Sequence, residues 1–567
     1  MDDIELKDLD ATKITEDITA KKSEFNDLFI RMDDDFKLWS LASPLIDTGF
    51  RRTTKEVKVS HETDINIVSN DLRTFSDKVQ ATLSAADMQI FVRMAETEGE
   101  DKRDDIGKLE RLFYFALEQG DIRLRRLLLP PLREALIWYS LVRGWVAGRF
   151  LVYKDGEKNV IFDNLPMDPR WLTYEVGGDG FAWTGYETSR SAASLKNEYD
   201  YKAKKEKDNI VIDFWKYRER HKIVNGVICD NTFIKPAESY DLLSIPILIM
   251  PVATRPPVKG TTGSETKGYG ESVFAPCREI NETRNKFASV VATHAKLLAR
   301  QPVINLYDSE GVQLKSTIYL SEAVLNLPMG HNKLEPTPMK EISPTVISIM
   351  NWLSEQMERG TMPNIPVGAP PPSGTLYNMV QEAGNRVFNP QVKNLSYFYA
   401  DALRLIEEQL ISGKIRVDVK QEEKRKYFET KVTPVDLKKP HIIKVEFTAR
   451  TPWTQLDTYQ VADMAKRLGL PDAFIHEYIL KLPDPKGLGD LSAIEMAEHS
   501  PKLAMVRAID ALLKIGRKEE AEQVMRDLYA MEMRDQAAAA PPPPPEAEEE
   551  GIEEPPVVER PPVEGTP

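Results

Sequence analysis

Histidine and cysteine are scarce in this chain, and their placement removes two large classes of function. Seven histidines occur in 567 residues (His61, His221, His294, His331, His441, His476 and His499), with no HxH or HxxxH pair. A histidine metal site has no pattern to build on. The two cysteines, Cys229 and Cys277, are far apart and form no CxxC. They read as reduced, partly buried thiols, not as a disulfide framework or a zinc site. Long apolar runs are missing too. The longest, LLSIPILIMPVA (242–253), has twelve residues, two of them prolines, against the roughly 20 needed to span a bilayer. The N-terminus is acidic, with no basic-then-apolar leader, so a soluble protein of the cytoplasm is expected. There is also no basic surplus. The net charge is −14; residues 1–36 contribute −7 from twelve acidic and five basic side chains, and 537–567 contribute −7 from eight glutamates and one arginine. The body between them is neutral, whereas proteins that grip duplex DNA through its phosphates carry a basic excess.

Catalytic signatures are equally thin. GSETKGYG (263–270) does not match GxxxxGK[ST] and follows no clear strand. Gly270, Glu271 and Ser272 begin like a nucleophile elbow, but Phe274 stands where that turn needs glycine. Asp33, Asp34 and Asp35 read as an exposed acidic run rather than a cation site. Arg123, Arg125 and Arg126 read as a solvated helix face pairing with nearby acids, and 202–207 as a solvated linker. No catalytic residue, metal ligand or cofactor is assigned.

What is present is long-range order. A chain of this length exceeds one core and implies two to four domains. Residues 1–36 are expected to be flexible at the start, with helical signals from Glu24 that strengthen from Ile106. KLERLFYFALEQ (108–119) reads as a helix; another begins after Pro130 and Pro131 and ends near Gly148. Strands follow from Phe150: a hairpin around Asp155-Gly156, one turning through 177–180, and two strands with a turn near Asn225-Gly226.

The region 268–412 is the most informative. The turn GYGES opens about thirty residues without an interior glycine, ending at Pro302. As a helix they would extend about 43 Å, with Pro276 near the start, where its missing N–H costs little. Ile280, Phe287, Val291 and Leu298 share an apolar face, widened by Val290 and Leu297; opposite lies a polar stripe of Glu282, Lys286, Ser289, Thr293, Lys296 and Arg300. Short apolar pieces and turns fill 306–343. PTVISIMNWLSEQMERG (344–360) is a second helix, with Val346, Ile349, Met350, Leu353 and Met357 as its apolar side. The proline-rich loop TMPNIPVGAPPPSG (361–374) leads to a third helix over 375–411, broken near Phe388 and Asn389 by Pro390. Strands KIRVDVK and KPHIIKVEFTAR, a helix ending near Gly469, a linker at 487–490 and two helices over 491–536 joined around Gly516 complete the body. The last 31 residues, 537–567, are rich in proline and glutamate and are expected to be disordered. The fold class is α+β, multidomain.

This order resembles the portal protein, or head-to-tail connector, of tailed double-stranded-DNA bacteriophages. The likeness spans roughly 30–535 and rests on a GxS turn (Gly270, Glu271, Ser272) before a long helix, and on Ser373, Gly374 and Leu376 opening another. The resemblance implies a first wing part at 37–267, a first stem helix at 268–302, a clip at 303–343, a second stem helix at 344–359, a tunnel loop at 360–372, a tunnel helix at 373–412, a second wing part at 413–488 and a helical crown at 489–536. It implies a dodecameric ring at one capsid vertex of the virion, assembled in the host cytoplasm, through which double-stranded DNA enters and leaves. Its implied partners are further copies of the chain, the terminase large subunit, the major capsid protein and scaffold, and head-completion or adaptor proteins; no membrane or cofactor is implied. The polar stripe is then the candidate channel wall, and Thr361, Met362, Asn364, Ile365 and Val367 the candidate tunnel loop. An alternative for Lys296 and Arg300 is pairing with acids of an adjacent subunit. Two other readings stay open: a soluble α+β enzyme with a dispersed site, and another virion structural or scaffold-binding protein.

Overall fold

The computed structural model describes residues 9–42, 65–94, 101–155, 159–178, 180–219, 222–252, 270–299, 303–307, 324–328, 333–336, 342–361, 388–423, 426–448, 452–471, 475, 479, 505–506, 508–510, 512–513 and 517–539. These divide into two units, 1–455 and 456–567. The chain is α+β: helices mix with five antiparallel or mixed sheets among the described residues.

Two helices come first, α1 (Ala11–Glu24) and α2 (Asn26–Ser40). The acidic N-terminal segment was expected to be flexible; from residue 11 it is helical and packed. Ala11, Ile14 and Ile18 recur every three or four residues and bury one stripe of α1 against a sheet strand carrying Ile212 and Phe214. Phe25, Leu28, Phe29 and Met32 do the same for α2, over Trp145.

Helix α3 (Asp71–Ala85), strand β1 (Asp87–Met94), helix α4 (Asp101–Arg126) and helix α5 (Leu132–Val142) follow. α5 was expected to run on to Gly148. It stops because Gly144 takes φ +71, after which Trp145 opens strand β2 (Trp145–Asp155). β2 pairs with β3 (Asn159–Met167) on one side and β9 (Ile247–Pro251) on the other. A separate five-stranded antiparallel sheet takes β4 (Leu172–Gly177), β5 (Gly180–Arg190), β6 (Asn209–Glu219), β7 (Lys222–Cys229) and β8 (Thr232–Tyr240) in sequence order, with the short helix α6 (Ala192–Tyr199) between β5 and β6. Asn225 and Gly226, expected at a turn, lie inside β7. The Asn225 amide donates across the sheet to Asp213 (2.7 Å) and the Phe214 carbonyl (3.1 Å), and Gly226 leaves room for the Phe233 ring.

The long helix α7 (Arg278–Ala299) has 22 residues, about 33 Å. It starts later than expected, because Ala275–Cys277, with Pro276, tighten into a 3-10 turn before it; residues 300–302 of the expected helix lie outside the described residues. Strands β10 (Val303–Tyr307), β11 (Val324–Pro328) and β12 (Lys333–Pro336) make a small sheet in the order β11-β10-β12. Helix α8 (Pro344–Gly360) packs on α7. Helix α9 (Asn389–Ser412) starts with Pro390 in its first turn, where no intrahelical donor is needed. Strands β13 (Val417–Glu423) and β14 (Lys426–Val432), the one-turn α10 (Pro434–Leu437) and β15 (His441–Thr448) follow; β15 pairs antiparallel with β1, joining Asp87 to Thr448.

α9 is the centre of the main core. Leu395, Phe398, Tyr399, Leu403, Ile406 and Leu410 are buried among residues of α3, α4, α5, β1, β2 and β13–β15. Each such side chain contributes about 1.5–3 kcal/mol relative to exposure. Its buried amides finish the sheet that it covers: Asn394 donates to the Pro251 carbonyl (2.8 Å), and Gln409 donates to Phe150 (2.7 Å) and accepts from the Val152 N–H (2.9 Å), where β9 has ended.

Helix α11 (Pro452–Arg467) begins at the unit boundary; within the second unit its Ala462 and Ala465 pack with Ile475, and α12 (Lys518–Ala539) runs three residues past the expected start of the proline-rich tail at 537. Alanine there is the strongest helix former, so the helix continues to Ala539.

Candidate functional site on the long helix

The turn before α7 is held by two glycines and a charge cluster. Gly270 has φ +64 and packs on Trp145; a Cβ at Gly144 would lie 2.6 Å from the Glu271 backbone and 2.7 Å from Ser272. Only glycine fits either place. Arg31 of α2 donates to the Gly270 carbonyl (2.6 Å). Arg278, the first residue of α7, donates to both carboxylate oxygens of Asp35 (2.6 and 2.8 Å), to Glu271 (3.1 Å) and to Ser272 Oγ (3.2 Å). Burial works against the Arg278 charge, but Asp35 and Glu271 hold its pKa above the ordinary value. The three aspartates of α2 therefore separate. Asp35, 1% exposed, locks α2 to α7; Asp33, half-exposed, pairs with Arg170 (2.9 Å); Asp34 is exposed and pairs with Lys37. The expectation of one exposed acidic run fails at Asp35, because a helix turns residues 33 and 35 by about 200° relative to each other.

The polar stripe of α7 also divides. Glu282 and Lys286 are exposed and form an ion pair one turn apart (2.6 Å). Ser289 and Thr293 are turned inward, 0% and 3% exposed, and neither faces open space. Residues 65–69 run extended over them. Ile65 N–H donates to Thr293 Oγ1 (3.0 Å), Ile67 N–H to Ser289 Oγ (2.9 Å) and Ser69 N–H to Asn285 Oδ1 (3.1 Å). The match is metric: two residues of extended chain advance about 6.6 Å and four residues of helix about 6 Å. α7 thus presents a column of side-chain oxygens in place of a partner strand. Arg284 pairs with Asp71 and fixes the following helix at the same level. Lys296 is half-buried; Arg300 lies outside the described residues.

Ser272 has no nucleophile geometry: its buried oxygen accepts from the Phe274 N–H (3.2 Å) and from Arg278. Cys277 is buried under Met357 and Gly360, and burial raises its thiol pKa, as it does for Cys229. His294 is half-buried on α7. Of the loop residues, Thr361 caps α8, its hydroxyl donating to the Met357 carbonyl (2.9 Å); Met362, Asn364, Ile365 and Val367 lie outside the described residues. Among the described residues no group of three His, Cys, Asp or Glu is placed to hold a metal ion, and no helix is long and apolar enough to cross a membrane.

Sequence reasoning missed the buried column Asn285–Ser289–Thr293 and the Asp35–Arg278 lock. The first had a signal: Asn281, Asn285, Ser289 and Thr293 recur every four residues, and all are small hydrogen-bonding side chains. No protein-family model matches the chain, and no curated protein matches it. The functional reading therefore rests on residues and element order.

Proposed function

We propose that this chain is the subunit of a phage portal ring. The observation that carries the reading is the out-and-back pair α7 and α8: a long helix entered through a fixed glycine turn, a small three-stranded sheet at the sequence midpoint of the pair, and a second helix packed back on the first. Long helices so arranged can stand side by side in successive copies, and head-to-tail contacts that close by rotation give a ring. On this reading about twelve copies surround a channel at one capsid vertex of the virion, assembled in the host cytoplasm. Residues 303–343 form the clip that receives the terminase large subunit. The remaining wing and crown segments meet the major capsid protein, scaffold and head-completion or adaptor proteins.

The chain carries out no bond-making step in this role. Double-stranded DNA passes through, and a conduit works best when it keeps DNA hydrated without holding it, since each fixed phosphate contact adds affinity. The neutral body suits that. The channel-wall candidates reduce to the exposed pair Glu282 and Lys286, with Lys296 and Arg300 next in line; Ser289 and Thr293 are removed from the set by their burial. The loop 360–372 is the proposed constriction.

The test is native mass by light scattering on the purified 64.4 kDa chain, then negative-stain imaging. A species about twelve-fold heavier with a stain-filled centre is expected. A chain that stays monomeric at high concentration and with scaffold present would sink the proposal.

A further inference from the structure

The turn between α4 and α5 is a fixed, apolar knob. Leu128 closes α4: its N–H donates to the Arg125 carbonyl (3.1 Å), and the Leu129 N–H donates to the Leu124 carbonyl (3.0 Å). The Leu132 N–H, at the start of α5, donates to Asp121 (2.8 Å). Leu128 takes φ +57 at this helix end, a place where glycine or asparagine commonly stands because a Cβ is disfavoured there. The residue is instead a leucine, 93% exposed, between exposed Leu127 and Leu129. Arg125 and Arg126 beside them are exposed too, and neither has an ion-pair partner among the described residues. The arginines suit the end of a helix. Three consecutive leucines in water gain nothing for the fold of one copy and mark a contact surface.

Beside the knob lies a cleft of about 380 Å³ between α2, α3 and α5, and Pro130 belongs to both. Phe36, Trp138 and Tyr139 line the cleft, with Phe36 and Trp138 edge to face at 6.2 Å. Two of its charges cancel, because Arg143 pairs with Asp168 (2.8 Å). Glu134 is the charge left over: it is exposed and has no ion-pair partner among the described residues. Knob and cleft are thus complementary twice, leucine to aromatic ring and guanidinium to carboxylate. Within one copy the leucines stand in water, so the knob leaves its own cleft open.

A knob set next to a cleft that fits it is self-complementary. Rotation about a two-fold axis places each copy's knob over the cleft of the other. We propose that this patch pairs two copies of the chain, with Leu128 of each copy seated against Phe36 and Trp138 of the other, and Arg125 or Arg126 facing Glu134. The contact is isologous, so it is separate from the head-to-tail contacts that close a ring, and it does not rest on the portal reading. A knob this small makes a weak, reversible contact.

Photo-cross-linking traps such a contact. The full chain carries p-benzoylphenylalanine in place of Leu128, a position whose exposure tolerates the change, and equal amounts of chain with natural and with heavy nitrogen are mixed. Irradiation and peptide mapping should give mixed-label cross-links from residue 128 to the peptides that hold Phe36 or Trp138. Arg125→Glu with Arg126→Glu should lower their yield by about fivefold, and Glu134→Arg should do the same. Combining the three changes sets opposite charges face to face again and should restore the yield. Circular dichroism checks that these exposed-site variants remain folded. Cross-links that never mix the labels, mixed-label cross-links to any other segment, or no cross-links at all would overturn the proposal. So would a yield indifferent to the charges, or one that the combined variant fails to restore. The expected cross-links in protein that forms no ring would leave this contact standing and sink only the portal reading.

Discussion

Ser289 shows how far one hydroxyl can be misjudged from its neighbours in sequence. On a helix with charged Glu282 and Lys286 along the same stripe, it reads as solvated; in the structure it receives a backbone N–H. Polarity reports that a side chain wants a hydrogen bond, not whether water supplies it. Ser289→Ala should therefore leave the Ile67 N–H without its acceptor and destabilise the chain by about 1–3 kcal/mol. Native-state hydrogen exchange is the direct measurement: the Ile67 amide should lose protection while amides of α9 keep theirs. Unchanged protection would mean that the segment does not depend on the column. His441 gives a second residue-scale prediction. Its side chain is 3% exposed, with Nε2 3.3 Å from Glu407 and Nδ1 2.7 Å from the Lys439 carbonyl. A carbonyl only accepts, so Nδ1 donates, and a proton on Nε2 would face the carboxylate. The Glu407 carboxylate beside the ring raises the His441 pKa, against an opposing effect of burial. A folded-state pKa above the unfolded value stabilises the fold in full below about pH 6.5, and that stability is lost as pH climbs through the folded value. Thermal melts from about pH 5.5 to about pH 9 should show Glu407→Gln costing most at the acid end and converging with the native chain at the alkaline end. Parallel curves would refute the pairing.

At the scale of elements, the turn at Gly270 joins three pieces of chain: the start of β2, the middle of α2 and the first residue of α7. Gly144→Ala would meet the 271–272 backbone while forcing alanine to φ +71. We expect a loss of several kcal/mol, on the order of the strain and overpacking costs combined, seen as a sharp fall in soluble yield and in melting temperature. A variant that melted like the native chain would show that the turn relaxes freely. Periodicity made most elements legible, because α9, β2–β3 and β13–β15 bury regular faces. Boundaries set by tertiary contact were not legible. Nothing in WVAG says strand until Pro251 and Met167 pair beside it, and nothing in Asn225-Gly226 says mid-strand until Asp213 and Phe233 take up its two peculiarities. The candidate site was half legible for the same reason: the helix and its opening turn show in the sequence, whereas the segment lying on the helix comes from more than two hundred residues away.

For the whole molecule, charge placement bears on how the chain meets DNA. In sequence, both acidic stretches flank a body whose charges sum to zero, so the chain has little long-range attraction for phosphate. Purified protein should bind duplex DNA weakly, and the slope of log K against log salt should be shallow, about −2 or flatter, because few counterions are released. Fluorescence anisotropy over a salt series measures this; a steep slope would show a concentrated basic surface and would argue against a sliding passage. The same neutrality leaves self-association to shape and apolar contact, which is what a closed ring of identical copies requires.

The three bonds from residues 65, 67 and 69 to α7 also have a mechanical meaning. They lie in a row along the helix axis. Tension applied along that axis loads all three together, so the attachment resists as a unit. Tension applied outward from the side of residue 65 meets them one at a time, Thr293 first, then Ser289, then Asn285. The strap is therefore strong in shear and weak in peeling, and its release is directional: it begins at the end of α7 farthest from the glycine turn and stops where Arg284 holds Asp71.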